Sequence, residues 1–573
     1  MSSPDSSQLS MEKNNDEEVV VSWDGPDDPE NPLNWTWKRK WVATILVSCF
    51  TFISPFSSTM VTPALDQIGA ELNIPKGFMQ ALVMSIFLLG YAQGPFVLAP
   101  LSEIYGRVCV LQYANLIYLA FNTACGFATS KSQMLAFRFL SGIGGSAPQA
   151  LCNGVIADVW TKEELGKGQT IYGMLTFIGP TVAPIVGAYI SQSVSWRWIF
   201  WSTSLFDVGV QVTAFFFLRE TYGPRILAKR AARIRKETGI QNVRTEYDDA
   251  KRSSGSIIRR RLVLPFIMLV AHPAVQAPSV YRAFLYGVMY LLLSTFDRVW
   301  QDIYGMDKAI SSLHYLSLCL GFMIGLQISH PLIDGLYAWL KKYYKRAEGV
   351  PEWRIPPMLL GCLLTPLGLF MYGWTARASI HWLVPDLGCV FLAAGLILAF
   401  QSAQAYVTDA YGARHAASAA AVGAFLRTMC GFSFPLFAPA MYDALGVAWG
   451  NSLLAFVTLG LAIPSPILLW FYGERIRGWS TLGLPPRTAA TEASPAIEEK
   501  RPVNVRVSIY NESSPIDGGT IDNLLKVDVT TPGFMRLTVC SPERAFQSWD
   551  TTNKGSSPNY PCDVPDQLKG TVW

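Results

Sequence analysis

Runs of about twenty apolar residues recur along this chain, each long enough to cross the roughly 30 Å hydrocarbon core of a bilayer as a helix. The first is Val42 to Met60. The candidate spans are 42–64, 80–100, 109–129, 134–157, 168–190, 198–218, 281–304, 312–337, 356–376, 382–407, 414–442 and 449–472. One run makes an anchor, whereas twelve predict an all-α polytopic membrane protein with 12 transmembrane helices. Composition agrees: half of the residues are hydrophobic and only 15% are charged, against roughly a quarter in a soluble domain. Residues 1–41 are acidic and polar with no apolar stretch, so no cleavable signal peptide is expected and the first span must direct insertion.

The spans fall as six, a gap and six. This predicts an N-terminal half over 42–218, a basic central loop over 219–280 and a C-terminal half over 281–478. Within the loop, Leu262 to Ala271 is apolar, but at ten residues, interrupted by Pro265, it is expected to lie at the interface or against the bundle rather than cross. Lysine and arginine set the orientation. With the N-terminus inside, Lys38, Arg39, Lys40, Arg107, Lys162, Lys167, Lys341, Lys342, Lys345, Arg346, Arg354, Arg414, Arg475 and Arg477 face the cytoplasm, against Lys76, Lys131, Arg197, Lys308 and Arg377 outside. Both termini are therefore expected in the cytoplasm. Residues 479–573, rich in Ser, Thr, Pro, Asn and Asp, carry two short alternating patches, Val503 to Tyr510 and Leu525 to Val529, and are expected to be a cytoplasmic tail without a substantial core. The sequon at Asn511 would then stay unglycosylated.

Most of the ten cysteines sit singly inside apolar runs, with no C-x-x-C pair, which points to small core residues rather than disulfides or metal ligands. A net charge of +4, with its basic residues in loops, gives no reason to expect a nucleic-acid partner. Nothing matches the G-x-x-x-x-G-K-[ST] phosphate loop, and Gly142-Ile143-Gly144-Gly145 has no following lysine. No cofactor is expected, and uphill transport would draw on an ion gradient.

The loop after the second span reads Pro100-Leu101-Ser102-Glu103-Ile104-Tyr105-Gly106-Arg107. This resembles the loop signature of the major facilitator superfamily, in the "P-L-S-E-x-Y-G-R" form of the fungal drug:proton antiporters. Further strings support the same resemblance. Asp28-Pro29-Glu30-Asn31-Pro32-Leu33-Asn34-Trp35 is similar to the "D-P-x-N-P-x-N-W" string of the fungal branch. Gly179-Pro180-Thr181-Val182-Ala183-Pro184-Ile185-Val186-Gly187 looks like the antiporter motif, and Trp196-Arg197-Trp198-Ile199-Phe200-Trp201 like the start of the sixth span. Asp409-Ala410-Tyr411-Gly412, Phe425-Leu426-Arg427 and Phe434-Pro435-Leu436-Phe437 resemble the tenth and eleventh spans. The match covers about residues 20–478. It departs where Ala99, Ala183 and Ala188 replace glycines, where Val108 replaces a basic residue, and where Phe296-Asp297-Arg298 replaces an apolar pair.

The resemblance implies the major facilitator fold, two six-helix halves with substrate bound midway between them. It also implies roles. Glu103, Gly106, Arg107 and Asp158 would form a cytoplasmic gate, with Asp158 the chosen partner of Arg107. The alternative is a static loop salt bridge, which at an exposed site contributes only about 0–1 kcal/mol. Arg138, Arg427 and Asp297 are the proton-coupling or cavity candidates, with Asp297 expected first as a partner for Arg298. A mid-membrane arginine costs about 2.5–3.5 kcal/mol on insertion scales, so Arg138 should face a cavity or an internal partner, unless it snorkels to the headgroups. Gln149 and Asn153, and likewise Gln401 and Gln404, share helix faces and would either line the substrate cavity or bond neighbouring helices. Gly179, Pro180, Pro184 and Gly187 would let the fifth span bend.

The expected function is proton-coupled efflux of a hydrophobic or amphipathic small molecule, a drug, toxin or secondary metabolite, from a fungal cell by a plasma-membrane monomer. An enzyme is not expected. Uptake or polyamine transport by the same fold is the second reading, and a non-transporting solute sensor the third.

Overall fold

The computed structural model describes residues 19–25, 27–161, 164–238, 243–247, 254–346, 349–479, 506–509 and 525–528. The chain divides into two units, Met1–Leu484 and Pro485–Trp573. In the second, the strands Arg506–Ile509 and Leu525–Asp528 pair antiparallel, with Arg506 opposite Asp528 and Ile509 opposite Leu525. These are the two alternating patches of the tail. The remainder of that tail, with its expected lack of a core and its sequon, lies outside the described residues.

The first unit is a helix bundle. Its N-terminal part contains α1 (Trp37–Thr59), α2 (Leu65–Glu71), α3 (Phe78–Tyr105), α4 (Arg107–Cys125), α5 (Lys131–Gly145), α6 (Ala147–Val159), α7 (Leu165–Ser193) and α8 (Arg197–Phe217). A linking region holds α9 (Gly223–Thr238) and α10 (Ser254–Ala271). Then come α11 (Pro273–Asp302), α12 (Lys308–Leu313), α13 (Tyr315–Tyr343), α14 (Pro356–Thr375), a helical run α15 (Leu383–Ala462) and α16 (Pro464–Trp479).

Among the described residues, ten stretches are helical, long and apolar enough to cross a membrane. The count of twelve is recovered from two details. The expected fourth span is split at Ser146 into α5 and α6, each too short alone. Pro148 has no N–H for the carbonyl four residues back, and the adjoining Gly145 carbonyl instead accepts the Ser54 hydroxyl at 2.6 Å. The stretch Ser418–Trp479, at 62 residues, would extend about 90 Å if straight. It doubles back at Gly446, where φ is +70°, and Tyr442 Oη reaches Asn451 Oδ1 at 3.1 Å. An earlier reversal brings the Arg427 guanidinium 5.7 Å from the Phe400 ring, although a straight helix would separate residues 27 apart by about 40 Å.

Two boundaries differ from expectation. The seventh span starts at Pro273 rather than 281, because α11 runs on toward the linking region. The segment expected at 262–271 is part of the longer helix α10, whose Met268 is buried and whose Phe266 stacks on Phe96 of α3 at 4.7 Å. The linking region also returns to the N-terminal segment. Strand β1 (Val19–Val21) pairs in parallel with β2 (Val243–Thr245), and Val21, Leu227, Ala231 and Val243 close a small core.

The helices bury hydroxyls by bonding them to their own backbone, as Thr44, Ser48 and Thr51 do on α1 through carbonyls four residues back. No water is needed at membrane depth. The outward side of α8 stays apolar and exposed at Leu205, Val212, Phe215 and Phe216, as a lipid boundary requires.

Candidate functional site

The first cluster lies at the α3–α4 turn. Gly106 takes φ +100° and ends α3 so that α4 starts at once on Arg107. Any Cβ at Gly106 would strike Glu220 Oε2, so both backbone shape and space require glycine. Arg107 Nε lies 2.7 Å from Asp158 Oδ2, and Nη2 donates to Oδ1 at 3.3 Å. This is the partner the sequence pointed to. Glu103 is exposed and is not the carboxylate that Arg107 grips. Glu220 was missed: its Oε1 accepts the N–H groups of Arg107 at 2.9 Å, and of Thr221 and Tyr222 at 3.1 Å each. Thr221 Oγ1 then donates to Asp158 Oδ2 at 3.3 Å. An acid directly after the sixth apolar run was the available signal.

The linking region carries a second ionic cluster. Arg230 of α9 meets Asp24 at 2.9 Å, Asp28 at 3.0 Å and Glu30 at 3.3 Å. Asp28 is buried and also accepts the N–H groups of Asp24 and Glu30. Burial raises its pKa, but these N–H groups and the Arg230 charge outweigh it and hold the carboxyl below the usual range. In the second half Arg354 pairs with Asp334 and, at 2.8 Å, with Asp409. The acid–Pro–Asn string and Asp409 are thus cross-links between distant segments.

Arg138 neither snorkels nor meets a carboxylate. It is fully buried and donates to four main-chain carbonyls: Val83 at 3.2 Å, Ser57 at 3.2 Å, Ser58 at 3.3 Å and Met84 at 3.3 Å. One guanidinium therefore ties α1 and α3 to α5, and the Phe87 ring lies 4.9 Å from its carbon. The Ser58 hydroxyl also donates to the Pro55 carbonyl at 2.7 Å, which leaves its lone pairs to accept from Tyr290 of α11 at 3.0 Å. Tyr290 packs at 4.9 Å on Tyr286, over which Arg427 sits at 5.4 Å. A polar thread thus runs from Arg138 across to Arg427.

Around that thread the amides divide. Gln149 Nε2 is buried with no partner among the described residues. Asn153 is exposed and donates to Tyr172 Oη at 3.5 Å. Gln404 is committed to Thr408, one turn on, at 3.1 Å, while Gln401 is half-buried on the same helix. Asp297 is buried and accepts from Gln301 Nε2 at 3.3 Å rather than pairing with Arg298. Successive side chains on a helix diverge by about 100°, and Arg298 lines a separate cleft with Asp302 and Asp443. On α7, Gly179, Pro180, Pro184 and Gly187 are all buried. Thr59 donates to the Pro180 carbonyl at 2.9 Å, and a Cβ at Gly187 would overlap the Met60 carbonyl, so this face serves close α1–α7 packing.

Among the described residues, four further buried ionisable side chains, Asp207, His314, Asp386 and Arg282, lie inside the bundle. Asp207 of α8 is fully buried and takes both oxygens' contacts from Asn115 at 3.0 Å. His314 Nδ1 lies 2.7 Å from Asp386 Oδ2, with the imidazole stacked at 3.8 Å on Trp300. Arg282 of α11 lies 4.1 Å from the Phe400 ring. Each is an isolated ionisable residue within an apolar run, at 198–218, 281–304, 312–337 or 382–407, and that isolation is the signal in the sequence.

Two helical halves meeting along a buried polar seam, with apolar flanks turned to lipid, define a polytopic membrane transporter. The chain belongs to the Major Facilitator Superfamily, whose family pattern matches residues 47–435. It is similar to the efflux pump vrtL of Penicillium aethiopicum, 42% identical over 475 residues that cover 83% of this chain and 93% of the relative. It is also similar to the efflux pump radE of Floropilus chiversii, 39% identical over 80% of this chain and 85% of that protein. Among solved structures, the proton:xylose symporter XylE bound to 6-bromo-6-deoxy-D-glucose aligns with a TM-score of 0.55 at 14% identity, covering 76% of this chain and 96% of that one. A bacterial homolog of the human lysosomal transporter Spinster aligns at 0.54 and 13% identity, covering 79% and 100%. These structural likenesses concern the fold. The chain is a secondary transporter, not an enzyme.

Proposed function

We propose that this transporter expels a hydrophobic or amphipathic small molecule, a toxin or secondary metabolite, from a fungal cell across the plasma membrane in exchange for protons. The observation that carries the reading is the polar thread from Arg138 through Ser58 and Tyr290 to Tyr286 and Arg427. It crosses between the two halves, where alternating access requires a site. Aromatic rings flank it, with Phe177 at 5.7 Å from Phe322 and 6.2 Å from Phe400. The names of the related efflux pumps support the direction. The charges gathered there are positive, which disfavours a polyamine.

In this reading both termini lie in the cytoplasm and the chain acts as a monomer. Arg107, Asp158 and Glu220 latch the cytoplasmic end, Gly179, Pro180, Pro184 and Gly187 form the surface on which α1 and α7 move, and Arg138 responds to proton movement. The test is expression of the full chain in a fungal strain without its own efflux pumps, challenged with a panel of fungal toxins. Lower intracellular toxin, abolished by a proton uncoupler, is expected. Raised intracellular toxin would make it an importer. A chain deleted after Gly478 should keep its flux, whereas a sensor would lose its output.

A further inference from the structure

Of the arginines that lie within the helices of the bundle, Arg138 is buried and satisfied by four carbonyls. Arg282 and Arg427 are different. Arg282 is 3% exposed and lies 4.1 Å from the Phe400 ring, while Arg427 lies 5.7 Å from the same ring. The two guanidinium carbons are therefore within about 10 Å of each other. The Nε atoms of both are buried without an acceptor, and no described carboxylate is paired with either. Arg282 stands nine residues past Pro273, the first residue of α11, about 14 Å along its helix.

A third group joins them. The Ser279 hydroxyl, fully buried one turn before Arg282, has no partner either. It borders the same space as Arg282, because a Cβ at Gly423 would lie 3.1 Å from Arg282 Nη1 and 3.3 Å from Ser279 Oγ. Gly423, one turn before Arg427, lets the Arg282 guanidinium and the Ser279 hydroxyl come close to its own helix. Two cations of like sign, Arg282 buried and Arg427 half-buried, and an idle hydroxyl lie close together, and an anion among them relieves the repulsion and gives the hydroxyl a partner. Phe96 of α3 lies 5.2 Å from Phe425, two residues before Arg427, and Leu88 of α3 lies beside Gly431, one turn after it, so the first half reaches this stretch.

We infer that Ser279, Arg282 and Arg427 form the seat for an anionic group of the transported molecule, and that the cargo is an aromatic or polycyclic organic acid. Its carboxylate or acidic enolate bridges the two guanidinium groups. Its apolar body lies on the wall made by Phe400, Tyr286 and Phe177. This assignment rests on the efflux reading and narrows its substrate class.

The purified full-length chain is tested by thermal unfolding with three acids, 1-naphthoate, 1-pyrenebutyrate and salicylate. Controls are 1-naphthamide, 1-naphthylmethylamine, sodium chloride and inorganic phosphate. At least one acid raises the Tm of the wild-type chain, and the amide, amine and inorganic salts do not. Arg282→Gln and Arg427→Gln weaken that acid's binding about tenfold or more, the usual consequence of losing a charged hydrogen-bond partner. Gly423→Ala, which keeps both charges and fills the space beside Ser279, weakens it too, so the result does not depend on a charge variant folding. No shift with any acid, an equal shift with the amide or with phosphate, or unchanged binding in all three variants overturns the inference. Absence of toxin efflux with acid binding intact would sink the transport reading alone, and efflux of acidic toxins unaffected by Arg282→Gln and Arg427→Gln would sink the anion seat alone.

Discussion

The Ser58 hydroxyl accepts a hydrogen bond from the Tyr290 phenol at 3.0 Å, joining α1 of the first half to α11 of the second at a buried point. Tyr290→Phe removes that bond and leaves Ser58 its own bond to the Pro55 carbonyl. A loss of about 1 kcal/mol is expected, the usual net value of such a bond. Thermal unfolding should show a lower midpoint, and toxin efflux should slow although the variant reaches the membrane normally. An unchanged midpoint and rate would remove the contact from the transport cycle.

Gly106→Ala places a Cβ on a backbone at φ +100° and against Glu220. Strain of about 1–3 kcal/mol is expected, with efflux falling as the latch loosens. Asp158→Asn keeps the shape but removes the charge that pairs with Arg107 and leaves a single oxygen to accept from it. Its effect should be smaller than that of Gly106→Ala, measured by unfolding and flux on the same membranes.

The Asp28–Arg230 strap should respond to acid. The folded-state pKa of Asp28 is depressed below its ordinary 3.8, so its contribution is present above that value and is lost as pH falls through the lower folded-state value. Spin labels at Ser22 and Lys236 should keep a short, narrow distance distribution at pH 7 that broadens in the acid range below about 4. Asp28→Asn should show the broad distribution at every pH. A distribution that ignores pH would refute the carboxylate's role.

Arg138→Lys keeps the charge but offers an ammonium with three donors to carbonyls from two helices, where the guanidinium reaches four. Lower thermal stability is expected together with an altered pH profile of efflux. If an Arg138→Ala chain that inserts normally retains the full pH dependence, Arg138 has no part in coupling.

Gly187→Ala puts a methyl group against the Met60 main-chain carbonyl. The helices must separate, with a destabilisation of about 1–3 kcal/mol from overpacking. Gly166→Ala, at a position with nothing nearby, should leave the midpoint unchanged.

Much of the architecture was legible in the chain because hydropathy is summed over some twenty residues and survives local exceptions. The number of spans, the basic link and the docking of the apolar segment before Pro273 came from that sum. The Arg107–Asp158 partnership was legible too, since a Gly-Arg turn and an acid at a span end leave few choices. The split at Ser146 and the early start of α11 were not, because a proline near a helix start, or a polar residue inside an apolar average, barely changes a window. Asp297 was assigned to Arg298 on adjacency, although adjacent helical side chains point apart.

By itself, then, the sequence determined that this chain lives in a bilayer, how many times it crosses and which family it resembles, because these depend on composition and short local strings. Only the tertiary structure decided who meets whom. Ser58 and Tyr290 are separated by 232 residues, and Arg282 becomes conspicuous only when Arg427 arrives beside the same ring from a different pass of the chain. Pairings of this kind follow from how helices pack and from the demand that each buried charge find a partner, and no local pattern encodes either.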